Sequence, residues 1–177
     1  ADTRKAHAQA LRLAETDPLT GLLNRRGWEN RLGELERRGQ AANMAVIYVD
    51  LDHFKHFNDE RGHAAGDRIL QVIAGLMREE LRDLDVIARL GGEELVAALP
   101  GCSIRVAQFI AERLRQRIEE CFANDAELSG ISHRLTASFG VAQRVRGEPL
   151  ANLLRRADEA MYAAKSQGRN RVCLADD

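Results

Sequence analysis

Asp85-Val86-Ile87-Ala88-Arg89-Leu90-Gly91-Gly92-Glu93-Glu94-Leu95-Val96-Ala97-Ala98-Leu99 is the stretch on which the fold turns. Two short β-like runs flank a Gly-Gly pair, the composition of a tight hairpin turn with φ > 0 at its centre. Two adjacent carboxylates follow, at the start of a strand otherwise made of Leu, Val and Ala. Successive strand residues face opposite sides of a sheet, so Glu93 and Glu94 are expected to play different parts. Glu is disfavoured in strands, and the apolar pattern calls for neither acid. The hairpin is therefore a candidate active site.

Upstream, Met44 to Leu51 (MAVIYVDL) is a continuous apolar, β-branched run, as expected of a strand buried on both faces. It ends in Asp50-Leu51-Asp52. His53 to Asp59 reads as a short helical turn or loop, and Gly62 to Asp67 as a second break. A long helix then carries Leu70, Ile73, Met77 and Leu81 inward. Before the strand, Asn24 is placed to cap a helix bearing Trp28, Leu32 and Leu35 that ends at Gly39. Asp17-Pro18-Leu19-Thr20-Gly21 separates it from residues 1–16, read as a helical connector from an upstream domain.

After the hairpin, Pro100-Gly101 is a turn, and Ser103 caps a helix with Ala107, Ile110, Leu114, Ile118 and Cys121 on one face. Leu135 to Val145 reads as one bent strand or two short ones around Gly140. Leu150, Leu153, Leu154, Ala157, Met161 and Ala164 mark the last helix, and Val172-Cys173-Leu174 a closing strand. This order favours an α+β sheet with helices over one or both faces.

The chain has 177 residues, 45% of them hydrophobic and 30% charged, an ordinary globular mix of single-domain size. Its 26 Lys and Arg nearly cancel its 27 Asp and Glu, so no basic field attracts nucleic acid, and anion recognition must be local. Cys102, Cys121 and Cys173 have no metal or disulfide spacing and fit a reducing cytosol. No signal-peptide pattern or transmembrane run occurs in this segment, so direct membrane contact is not expected and a cytoplasmic location is.

If the strands ending at Asp50 and starting at Glu93 are neighbours, several carboxylates converge. Two such charges about 4 Å apart repel by roughly 4 kcal/mol at an effective dielectric near 20, so the cluster requires a cation, a shared proton or a basic neighbour. Oxygen-only ligands point to Mg²⁺ or Mn²⁺ rather than zinc. Asp50-x-Asp52 is not an EF-hand, and the histidines His53, His56 and His63 are expected as turn or surface residues. Lys55, Lys165 and Arg169 stand where a polyphosphate would need cations. Neither a Walker loop nor a strand-linked GxGxxG is present.

The ordered motifs Asp17-Pro18-Leu19-Thr20-Gly21-Leu22-Leu23-Asn24-Arg25-Arg26, Asp50-Leu51-Asp52-His53-Phe54-Lys55, Asn58-Asp59, Gly62-His63, Gly66-Asp67 and Arg89-Leu90-Gly91-Gly92-Glu93-Glu94-Leu95 resemble those of GGDEF domains, the diguanylate cyclases. So do Ala157-Asp158, Tyr162, Ala164-Lys165 and Gly168-Arg169-Asn170, and the resemblance is taken to cover 17–177. It implies a palm-like, nucleotidyl-cyclase-like sheet, antiparallel-rich and flanked by helices. It also implies a homodimer in which two GTP condense to cyclic di-GMP and two pyrophosphates, each 3′-hydroxyl attacking the opposite α-phosphate. Carried over by residue, Asp50, the Leu51 carbonyl and Glu94 hold the metal ions, and Glu93 lies near the 3′-hydroxyl and helps metal binding or deprotonation. Asn58 and Asp67 read guanine, with Leu70 in the same substrate site. Lys165 and Arg169 clamp phosphates, assisted by the backbone of His53, Phe54 and Lys55. Arg82-x-x-Asp85, with Arg113, resembles the family's product-inhibition site. Two features depart from the usual pattern: Glu93 replaces Asp and keeps the carboxylate, while Leu95 replaces Phe and is expected to loosen packing behind the hairpin. The alternatives are a catalytically weak domain sensing cyclic di-GMP or GTP, and a Mg²⁺-dependent phosphohydrolase. The resemblance also implies an upstream sensory domain, this segment being the cytoplasmic part of a larger bacterial sensor.

Overall fold

The computed structural model describes residues 14–125, 130 and 132–176, so most of the expected N-terminal connector lies outside the described residues. The elements run α1 (Arg25–Arg37), β1 (Met44–Leu51), α2 (Phe54–Arg61), α3 (His63–Glu80), β2 (Val86–Gly91), β3 (Glu94–Pro100), α4 (Ile104–Ala123), β4 (Ala137–Gln143), α5 (Leu150–Ser166) and β5 (Val172–Leu174). The sheet order is β2-β3-β1-β4-β5, antiparallel except for the β4–β5 pair. β1 is thus central, which is why MAVIYVDL is buried along its whole length.

Alternation along β1 divides the core in two. Ala45, Ile47, Val49 and Leu51 face α3 and α4, where Ile73, Met77, Leu114 and Ile118 pack. Met44, Val46 and Tyr48 face α1 and α5, against Trp28, Leu32, Leu153, Ala157 and Met161. Asn24 caps α1 by accepting from Gly27 N at 2.9 Å, and Ser103 caps α4 by accepting from Val106 N. α5 lies so close to β4 that a Cβ on Gly140 would run into the backbone of Ala157 and Met161.

Several boundaries differ from the sequence reading. Only Gly62, at φ 85°, interrupts the chain between α2 and α3, and Gly66 lies inside α3. Leu81 ends that helix in an extended conformation yet stays buried. Cys121 is exposed, because Phe122, one turn beyond Ile118, takes the inward position. The hairpin turn is Gly92-Glu93 rather than Gly91-Gly92. A register shift between Arg89 and Gly91 lets Gly91 pair with Glu94, moving the turn by one residue. Glu93 is therefore at the turn tip, and only Glu94 begins the strand. Positive φ falls on Gly92 alone of the two turn residues, in the first central position that favours Gly in a type II′ turn. Among the described residues no helix is long and apolar enough to cross a membrane.

Candidate active site

The β1–β3 register places Asp50 directly opposite Glu94, so both carboxylates project from the same face of the sheet. Asp50 is only 8% exposed. Lys165, in the last turn of α5, reaches back to it, with Nζ 2.5 Å from Oδ1. Burial pushes the Asp50 carboxyl up to about 6; Lys165 pulls it down, and the charges of Glu93 and Glu94 add to the rise. On the same face, the Tyr48 hydroxyl donates to Glu94 Oε1 at 3.0 Å. Asp158 on α5 is raised by burial and by the charge of Glu94.

Asp52 does not join this cluster. It is fully buried and accepts from Thr136 Oγ1 and Ser138 Oγ, both at 2.7 Å, and from Asn170 N at 3.0 Å. Three donors satisfy it without a cation. Its effect is structural: it ties the β1 end to the loop after α5, where Arg169 and Asn170 adopt positive φ. That tie holds the chain segment bearing Lys165 and Arg169 against the strand end.

Beyond the hairpin, a cleft of about 490 Å³ is lined by Phe54, Lys55, Asn58, Asp67, Leu70 and Glu93, bringing together six of the residues singled out in the sequence. Asp59, His63, Arg89 and Gly92 also line it; none of the four was expected in the substrate site, His63 being expected as a turn or surface residue and Gly92 as part of the hairpin turn. Leu70 is buried in the core at the same time. Asn58 Oδ1 is buried and has no hydrogen-bond partner among the described residues. It fits only because residue 66 is Gly: a Cβ there would collide with that oxygen. A buried acceptor left unpaired costs about 1–3 kcal/mol, so the site favours a ligand bearing N–H donors.

His53 adopts the left-handed conformation, φ 57°, and starts α2, whose first turn no side chain caps. The ring of His53 stacks on His133, 4.3 Å between centroids, and the ring of His56 also stacks on His133 at 5.3 Å. Burial, then His133 and Arg169, hold His53 below its ordinary value. His63 belongs to the cleft instead. Among the described residues, no three His, Cys, Asp or Glu side chains form a ready-made metal cage. Mg²⁺ ordinarily uses one or two carboxylates and completes its shell with water and substrate phosphate. Asp50 and Glu94 fit that donor set, with the Lys165 ammonium standing beside Asp50 as a cation. Leu51 packs its side chain in the core, leaving its carbonyl as the group it can offer.

The sequence reading missed how the hairpin is braced. Arg89 donates from Nε to Gly92 O at 2.9 Å, and its Nη1 pairs with Asp17 at 3.1 Å. Although burial opposes it, hydrogen bonds from Thr20 and Arg89 hold the Asp17 carboxyl below its usual range. Leu23 bridges Ala88 in parallel, so the Asp17–Leu23 turn is docked on β2. A polar residue at the start of each motif was the available signal.

At the far end of β2, Arg82 Nη2 lies 2.8 Å from Asp85 Oδ1 and also donates to Pro100 O. The Asp85 carboxylate is wholly buried while the Arg82 side chain is half exposed. Arg113 pairs with Glu80, at 2.7 Å, and Arg117 holds the other oxygen of the same carboxylate at 2.6 Å.

Helices on both faces of a mixed five-stranded sheet, with acids at a central strand end and a neighbouring hairpin, define a palm-like cyclase fold. The model of the family described as diguanylate cyclase, GGDEF domain, matches residues 14–171, and the chain belongs to that family. Diguanylate cyclase DgcP of Pseudomonas aeruginosa is 40% identical over 164 residues, which cover 92% of this chain and 24% of DgcP. Diguanylate cyclase VdcA of Vibrio cholerae is 40% identical over 156 residues, 88% of this chain and 45% of VdcA. The chain thus spans less than half the length of these relatives. The coiled coil and GGDEF domain of Caulobacter crescentus DgcB, crystallised with c-di-GMP, superposes with a TM-score of 0.87 at 31% identity, covering 98% of this chain and 92% of that one. The active GGEEF domain of a Vibrio cholerae diguanylate cyclase gives a TM-score of 0.74 at 32% identity, covering 88% and 99%.

Proposed function

We propose that this domain condenses two GTP into cyclic di-GMP and two pyrophosphates, each of two copies presenting one nucleotide to the other. The observation that carries the reading is the single cleft joining Glu93 to Asn58 and Asp67, next to the Asp50–Glu94 pair. Guanine offers N1–H and N2–H₂ together, matching an unpartnered amide oxygen and a carboxylate; adenine has no such donor pair.

In this reading Asp50, the Leu51 carbonyl and Glu94 hold Mg²⁺ or Mn²⁺, and family members are generally metal-dependent. Bound there, the ion offsets phosphate charge and makes the attacking hydroxyl more acidic. Glu93, at the turn tip, lies near the 3′-hydroxyl and assists its deprotonation. Lys165 and Arg169 bind the triphosphate, and the uncapped first turn of α2 at His53, Phe54 and Lys55 offers backbone N–H groups to it. Lys165 then exchanges the Asp50 carboxylate for phosphate. Most of the catalysis is positioning and electrostatics.

Arg82, Asp85 and Arg113 form a product-inhibition site, which requires Arg113 to leave Glu80. In this reading residues 17–177 are the cyclase unit, in the cytoplasm, of a larger protein with an upstream sensory domain. The sensor-only reading drew on Leu95 loosening the hairpin, but Leu95 is fully buried among the large core side chains. With GTP and Mg²⁺, the wild-type protein should form cyclic di-GMP and Glu94→Ala should not. Release of inorganic phosphate in place of pyrophosphate would favour a phosphohydrolase and defeat the proposal.

A further inference from the structure

We infer that Tyr48 is a positioning residue for Glu94: its hydroxyl anchors one carboxylate oxygen and leaves the other directed at the hairpin turn for a divalent cation. The inference rests on the proposed role of Glu94 as a metal ligand. It concerns a residue that lies outside every motif on which the family resemblance rests.

Tyr48 precedes Asp50 by two residues and shares its face of β1. It pairs across the sheet with Val96, so Glu94 is its diagonal neighbour on β3, within reach of a long aromatic side chain. The phenol is 5% exposed, and its hydroxyl is 3.0 Å from Glu94 Oε1. Oε2 of the same carboxylate lies 3.9 Å from where a Cβ on Gly91 would stand, and so is turned toward the hairpin. The rest of this layer is apolar: Val46, Val96, Ala88 and Ala98. Phe would fill the Tyr48 volume equally well, so packing does not account for the hydroxyl. An ionised carboxylate can only accept, so the phenol O–H is the donor of this bond. Asp158, whose own carboxyl is raised by burial and by Glu94, adds a like charge on the α5 side. Without the phenol, Glu94 would lose this hydrogen bond while that repulsion remained.

Groups that orient a metal ligand typically change metal affinity by about 10- to 100-fold when removed. Tyr48→Phe keeps the ring and deletes only the oxygen. Mn²⁺ binding is measured by the loss of the free-ion paramagnetic resonance signal, with a GTP analogue lacking the 3′-hydroxyl present. The dissociation constant should rise by about tenfold in Tyr48→Phe. In turnover, half-saturating Mg²⁺ should rise by a similar factor, and kcat should return at saturating metal. The thermal midpoint without metal should stay where it is. A Mn²⁺ dissociation constant within about twofold of wild type overturns the positioning role while leaving Glu94 as a ligand. A fall in kcat that excess metal cannot restore, together with a lower thermal midpoint, also overturns it, in favour of packing. If the wild-type protein itself binds no Mn²⁺ beside the analogue, the metal reading fails and this inference fails with it.

Discussion

Asp50→Asn should make the metal-free protein more stable at neutral and alkaline pH while abolishing turnover. Asp50 is buried, and its carboxyl rises from 3.8 to about 6 despite Lys165 at 2.5 Å. The folded state therefore binds this proton more tightly than the unfolded chain does. Stability falls as pH rises through the window from about 4 to 6, and the penalty is complete above it. A shift of about two pKa units corresponds to roughly 3 kcal/mol. Asn carries no charge, so it escapes the penalty. Urea unfolding in chelator should give Asp50→Asn an advantage of about 2–3 kcal/mol near pH 8, shrinking to nothing near pH 4. Mg²⁺ with GTP should stabilise the wild type and not the variant. A variant less stable than wild type near pH 8, or an advantage independent of pH, would refute the account of Asp50 as a charge held for a cation.

Gly140→Ala should cost about 3 kcal/mol or more in unfolding experiments, because α5 backbone atoms occupy the place of the new methyl group and backbone cannot turn aside. Asn58→Ala should raise half-saturating GTP by roughly tenfold in steady-state assays without lowering stability, since its buried oxygen has no partner to lose. Glu80→Gln should release Arg113, while Arg117 keeps its ion pair with Glu79. Inhibition by cyclic di-GMP should then tighten by about fivefold, the equivalent of an ion pair near 1 kcal/mol, with uninhibited turnover unchanged. Weaker or unaltered inhibition would count against Glu80 competing for Arg113.

Much of the architecture was legible because local signals agreed with the global fold. MAVIYVDL could only be a central strand, and Asn24 and Ser103 cap the helices they precede. The errors fell where tertiary contacts decide. Phe122 displaced Cys121 because a helical face drifts, and either residue satisfies the spacing from Ile118. The hairpin turn moved by one residue because a bulge near Leu90 leaves no trace in composition. Asp52 looked like a partner of Asp50, but its three donors come from Thr136 just before β4, from Ser138 on β4 and from the loop at Asn170, more than eighty residues away. Arg113 was singled out beside Arg82, and its pairing with Glu80 depends on how α4 packs along α3. Among the candidate site residues, Asp50, Asn58 and Lys165 were singled out through their motifs. The contacts of Tyr48 with Glu94, of Gly66 with Asn58 and of Arg89 with Gly92 depended on sheet register and close approach.

The most direct test of the central claim is the rate of cyclic di-GMP formation from GTP and Mg²⁺ as a function of protein concentration, with pyrophosphate counted alongside. Two half-sites that must meet predict two pyrophosphates per cyclic di-GMP, and a rate per protein molecule that climbs with concentration before reaching a plateau. GDP and inorganic phosphate as products, formed at a rate per molecule independent of concentration, would contradict it.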